Sequence, residues 1–79
     1  MTLSYDNLLS VIAQALAVPA TALTEDSGPG TIANWDSEKH LDVVLEIEAA
    51  FSTTFTPAEI TTLTTIGSIW SALQQRQAA

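Results

Sequence analysis

The sequence contains no cysteine and only two cationic side chains, Lys39 and Arg76. Without thiols there is no disulfide and no thiolate for a metal, so a chain of 79 residues must be held together by packing alone. It also has a single histidine, His40, which rules out a zinc site of the usual nitrogen and sulfur ligands. Nine Asp and Glu against the two cations leave a formal net charge of -7. Such a surface repels nucleic acid and anionic lipid and favours protein partners that carry basic patches. Long apolar runs are missing too: none approaches the roughly 20 residues of a membrane span, and the opening MTLSYDNLL has no basic segment ahead of an apolar one. These absences lead to the expectation of a cytoplasmic protein with no nucleic-acid or membrane partner.

What is present is apolar and periodic. Hydrophobic residues make up 47% of the chain, enough for one small core and too few residues for a second, so residues 1–79 are expected to form a single domain. Leu8, Leu9, Val11, Ile12, Ala15 and Leu16 fall on one helical face, Ser4 is placed to cap it and Pro19 to stop it, which predicts a first helix over Tyr5 to Ala17. From Ala20 to Trp35 the periodicity dissolves around Gly28-Pro29-Gly30 into a long loop, with Leu23, Ile32 and Trp35 as its anchors. A second helix is predicted over Ser37 to Ser52. It places Leu41, Val44, Ile47 and Phe51 on an inner side with His40 beside them, and Glu38, Asp42 and Glu46 in a row on the opposite side. Glu48, near the apolar side, needs a hydrogen-bond donor.

Thr56-Pro57-Ala58-Glu59 reads as an N-cap, a proline at the first helical position and an acid in the first turn. The helix it opens must be short, because the run Thr61 to Thr65 has poor helix propensity and offers another cap. A last helix carries Ile66, Ile69, Trp70 and Leu73 and is expected to end near Gln75. The predicted fold is therefore all-α: an antiparallel four-helix bundle with three longer helices, one short helix, and a long loop between the first two.

Catalytic chemistry has little to build on. Ser37 and His40 lie one turn apart on one helix, which leaves no pocket around them and no oxyanion hole. The carboxylates of the second helix sit on its exposed face, where their pKa values stay ordinary. Asp26 and Asp36 are too far apart for a calcium loop, and the twelve-residue ligand pattern is missing. No catalytic residue and no metal ligand is assigned. What stands out is Asn34-Trp35-Asp36-Ser37, a serine at a helix start. Asp36 reads as the N-cap and Ser37 as a first-turn residue. The same place also suits an anionic phosphate ester, near unsatisfied backbone N–H groups and the positive end of the helix dipole. Local rules allow both readings and do not choose between them.

Taken over its whole length, the chain resembles an acyl carrier protein. The features that carry the resemblance are the leucine-rich first helix, the loop with Glu25-Asp26, the WDS motif at Trp35 to Ser37, HLDVVLEIEAAF from His40 to Phe51, TPAEI from Thr56 to Ile60, and TTIGSIWSAL from Thr64 to Leu73. The resemblance implies a stand-alone, non-catalytic carrier and a monomer. Ser37 would receive 4'-phosphopantetheine from coenzyme A through a phosphodiester, made by a holo-synthase (phosphopantetheinyl transferase), with Asp36 as the motif acid. Acyl, aryl or aminoacyl cargo would ride as a thioester, supplied by a loading ligase and passed to acyl-transferring or condensing enzymes of fatty-acid, polyketide or related biosynthesis. Glu38, Asp42 and Glu46 would dock these partners through their basic patches, and Leu45, flanking that row and expected to be partly exposed, would add an apolar contact. Val44, Ile47, Phe51, Ile66 and Leu73 are core residues, some of which the resemblance would have line a gap for the cargo.

The motif departs from the family at one position. Glu38 follows the serine where the family has Leu or Met, which predicts slowed rather than abolished modification. It also keeps in play an unmodified acidic interaction module of the same fold, alongside a small acidic inhibitor or adaptor that binds through its second helix. Lys39 and Arg76 are expected to be solubilising surface charges.

Overall fold

The computed structural model describes residues 2–78 and is an antiparallel bundle of four helices. They are α1 (Tyr5–Leu16), α2 (Ser37–Phe51), α3 (Pro57–Thr62) and α4 (Ile66–Ala78), with one 3-10 turn at Ala20–Ala22 inside the long loop. Each helix starts where a side chain can take up an orphaned N–H group. Ser4 Oγ accepts from the Asn7 N–H at 3.1 Å, and Asp36 Oδ1 accepts from the Lys39 N–H at 2.9 Å. Thr56 and Glu59 cap each other reciprocally, Thr56 Oγ1 accepting at 3.2 Å and Glu59 Oε1 at 3.0 Å. Thr65 Oγ1 accepts from the Ser68 N–H at 3.1 Å.

Helices α1 and α2 end on Ala17 and Ser52, both in the left-handed region, at φ 57° and 53°. Neither position has the glycine that this conformation favours. The returning N–H groups of Val18 and Thr53 nevertheless close both ends, onto the carbonyls of Ala13 at 3.0 Å and Glu48 at 3.1 Å.

The core lies between α1, α2 and α4. Leu8, Ile12 and Leu16 from α1, Val43, Val44 and Ile47 from α2, and Ile66, Ile69 and Leu73 from α4 are all buried, with Phe51 and Phe55 closing one side. The expected core residues Val44, Ile47, Phe51, Ile66 and Leu73 are in place, as are the loop anchors Leu23 and Trp35, while Ile32 is half-buried. Leu41 contradicts the expectation. It is 54% exposed, because the inner arc of α2 centres on Val43, Val44, Ile47 and Phe51 and leaves Leu41 beyond its edge. The last helix also runs past Gln75 to Ala78.

Arg76 is not a mere solubilising charge. Its guanidinium lies 4.4 Å from the centroid of the Phe55 ring, pairs with the Glu59 carboxylate and donates to the Ala72 carbonyl at 3.2 Å. The Thr56 N–H and then Arg76 hold the Glu59 carboxyl below the usual glutamate range. Glu48 finds its donor in the Phe55 N–H at 2.7 Å, which ties α2 to the segment entering α3.

The loop is a chain of tight turns. Ser27 and Thr31 each close a turn with the side-chain oxygen, accepting from the Thr24 N–H at 2.9 Å and the Gly28 N–H at 2.8 Å. Its carbonyls then do the work of a cap for α4: Ser27 accepts from the Ile66 N–H at 2.8 Å and Glu25 from the Gly67 N–H at 2.9 Å. This docking brings Gly28 so close to Thr64 that a Cβ at Gly28 would lie 2.0 Å from the Thr64 carbonyl oxygen.

Candidate functional site

The two Asp-Ser pairs of the chain end in opposite environments. In Asp26-Ser27 the serine is buried and its hydroxyl is used inside a turn. In Asp36-Ser37 the serine is exposed on the first turn of α2, and among the described residues no hydrogen bond engages its Oγ. Asp36 takes the third N–H of the helix, from Lys39, and leaves those of Ser37 and Glu38 outside the intrahelical ladder. The hydroxyl therefore stands free beside two unsatisfied donors at the positive end of a helix of 15 residues.

Two attachments fix this turn in space. The loop end is held by Trp35, only 2% exposed, and by Asn34, whose Nδ2 donates to the Leu16 carbonyl at 3.4 Å. Burying an indole removes about 150–250 Å² from water, a gross gain of roughly 4–6 kcal/mol. The Trp35 Nε1–H donates to His40 Nδ1 at 3.0 Å, and His40 Nε2 meets the Ile60 carbonyl at 3.3 Å. Both imidazole nitrogens are thereby occupied, and neither is left to take a proton from Ser37. His40 is a packed helix residue, as its position on the wheel predicts.

Down the outer face of α2 from Ser37, the spacing of four residues lines up Leu41, Leu45 and Ala49, all exposed. Leu45 is 61% exposed, so the partly exposed position expected for it is met and exceeded. Beside this apolar row runs a second one of Glu38, Asp42 and Glu46, also exposed. Asp42 is 4.0 Å from Lys39 Nζ, a solvent-exposed pair worth at most about 1 kcal/mol. The site residues named from the sequence thus gather on the exposed side of α2 and at its N-cap, Asp36. The residue that sequence reasoning missed is Leu41, and its signal was an apolar side chain at the border of the inner arc, next to the acidic row.

Among the described residues no three His, Cys, Asp or Glu side chains cluster as metal ligands, and no helix is long and apolar enough to cross a membrane. An open depression of about 300 Å³ is lined by loop residues from Ala22 to Ile32 and includes none of the core side chains that the resemblance implies for a cargo gap.

No protein-family model and no curated protein sequence matches the chain. Among solved structures it is similar to the solution NMR structure of holo acyl carrier protein from Geobacter metallireducens, with a TM-score of 0.83 over 94% of this chain and 85% of that one. The chain has the acyl carrier protein fold. Sequence identity to that structure is 22%, so the likeness is one of backbone architecture. In the acyl carrier protein fold of this chain, the exposed serine is the first residue of the second helix, and the apolar and acidic rows descend from it.

Proposed function

We propose that the protein is a carrier, modified at Ser37 with 4'-phosphopantetheine from coenzyme A, which delivers an acyl, aryl or aminoacyl group to partner enzymes. The observation that carries this reading is the free Ser37 hydroxyl at the capped start of α2, on a backbone similar to a holo acyl carrier protein. The local chemistry fits the group: an exposed hydroxyl to be esterified, two open N–H groups and a helix dipole beside the phosphate. When attached, the arm supplies a terminal thiol, in a chain with none of its own, on which cargo is held as a thioester.

The protein's own residues hold and present. Asp36 caps α2 and fixes the turn that carries Ser37. Leu45, with Leu41, offers apolar contact, while Glu38, Asp42 and Glu46 steer the basic patches of a phosphopantetheinyl transferase, a loading ligase and acyl-transferring or condensing enzymes. The fatty-acid, polyketide and related pathways that use such carriers share this chemistry of docking and presentation.

The test is intact mass after incubation with coenzyme A, magnesium and a broad-specificity transferase. The carrier gains about 340 Da, the mass implied by the arm's chemistry, and Ser37→Ala gains nothing. No gain with several transferases would sink the reading in favour of an unmodified interaction module, for which Glu38 argues. Two charges about 6 Å apart in water repel by about 0.7 kcal/mol. Glu38→Leu is therefore expected to speed modification about threefold.

A further inference from the structure

An indole N–H can donate a hydrogen bond but not accept one, whereas each nitrogen of an imidazole does one or the other according to where the protons sit. Trp35 stands two residues before Ser37 and His40 three residues after it, so the bond between their side chains closes a ring of chain around the serine. At 3.0 Å from Trp35 Nε1, His40 Nδ1 must be bare, and the ring proton sits on Nε2, which donates to the Ile60 carbonyl. The two rings meet edge to edge through this bond, with centroids 6.0 Å apart and planes tilted by 32°. One neutral imidazole thus joins the end of the long loop, α2 and α3.

A second ring proton would go to Nδ1 and set two donors face to face. Trp35 is buried, so water is a poor substitute for the acceptor it would lose. The charged groups on the elements around His40 are Asp36 at the cap of α2, Glu38, Lys39, Asp42, Glu46 and Glu48 within it, and Glu59, next to Ile60 in α3. Asp36 is committed to the Lys39 N–H, and Glu59 to the Thr56 N–H and Arg76. None of them is hydrogen-bonded to the imidazole.

We infer that His40 is a positioning residue for the modification of Ser37: neutral, it clasps Trp35 and α3 and holds the turn that presents the hydroxyl; protonated, it releases Trp35 and slows attachment. The inference rests on the carrier reading and adds to it a dependence on pH.

The experiment uses the full chain, His40→Gln and Trp35→Phe, with coenzyme A and one transferase, at about pH 7.5 and about pH 5.5. Glutamine can accept from the indole and donate to Ile60, and it does not titrate. Dividing each rate by that of His40→Gln at the same pH removes the transferase's own pH profile. The unsubstituted chain's ratio is expected to fall about fivefold on acidification, the size of one lost hydrogen bond. The ratio for Trp35→Phe, with no donor to displace, stays flat. The indole N–H resonance of Trp35, identified by its absence from Trp35→Phe, moves over the same pH span in the unsubstituted chain and not in His40→Gln.

A flat ratio in a chain that is modified, or an indole resonance that ignores pH, overturns the inference. No mass gain in any of the three proteins at either pH is a different failure, since it overturns the carrier reading and the positioning role with it. If His40→Gln does not fold, the ratio to Trp35→Phe is read instead, with the same outcomes.

Discussion

Replacing Gly28 by alanine adds one methyl group where the chain has no room for it. The new Cβ would stand 2.0 Å from the Thr64 carbonyl oxygen and 3.0 Å from the carbonyl carbon. Optimal separation is about 3.5 Å, so backbone must retreat from backbone by ~1.5 Å. No flexible side chain can absorb that, because the obstacle is the turn between α3 and α4. A retreat of this size opens the bonds from Ile66 to Ser27 and from Gly67 to Glu25, now 2.8 and 2.9 Å long. Two hydrogen bonds at about 1 kcal/mol each, with overpacking of about 1–3 kcal/mol, give a loss of about 3–5 kcal/mol. A domain of this size has about 4–12 kcal/mol in all. Urea unfolding followed by circular dichroism measures the loss directly, and the melting temperature should fall by at least 12 °C or so. Gly67→Ala is the milder comparison, since its Cβ would come 3.3 Å from the Glu25 carbonyl oxygen, a tight contact that a shift of a few tenths of an ångström relieves, and alanine favours the helix. A Gly28→Ala protein within about 0.5 kcal/mol of the parent, a surface-like effect, would refute the close docking of the loop on α4.

Asp36→Ala removes the cap of α2 and should cost about 1 kcal/mol, seen as a melting temperature lower by about 4–8 °C. Glu59 makes its contribution through the charged form, because the Thr56 N–H and Arg76 hold its carboxyl below the usual range. The sign follows from linkage: that stability is complete above the ordinary glutamate range and is lost as the pH falls through the lowered value. The gap in melting temperature between the parent and Glu59→Gln should therefore be widest near neutrality and close in acid, and a gap that widens in acid would contradict the assignment.

The helices were legible from an apolar period, a capping residue or both: Ser4, Asp36 and Thr56 all cap where the sequence places them. Ser37 could be placed at a helix start but not separated from an ordinary first-turn serine, since that difference lies in what surrounds the hydroxyl. Leu41 was misassigned because hydrophobicity does not say on which side of an arc's border a residue falls. Trp35 and His40 were each read as packed, yet their bond depends on two rings meeting in register across the start of a helix. Arg76 looked like a stray cation because Glu59 and Phe55 reach it only once α3 folds back along α4.

The bonds by which the loop caps α4 join residues about 40 apart in sequence, a closure that costs more entropy than any turn within the loop. In kinetic terms α1 and α2 can form from local contacts and Asn34 and Trp35 can settle on them, while the stretch from Glu25 to Ser27 waits for α4. Attachment at Ser37 would then report on the completeness of the whole fold. We predict that a chain ending at Leu63 is modified more slowly than the full chain under the same mass assay, and equal rates would show that the start of α2 forms without its distant cap.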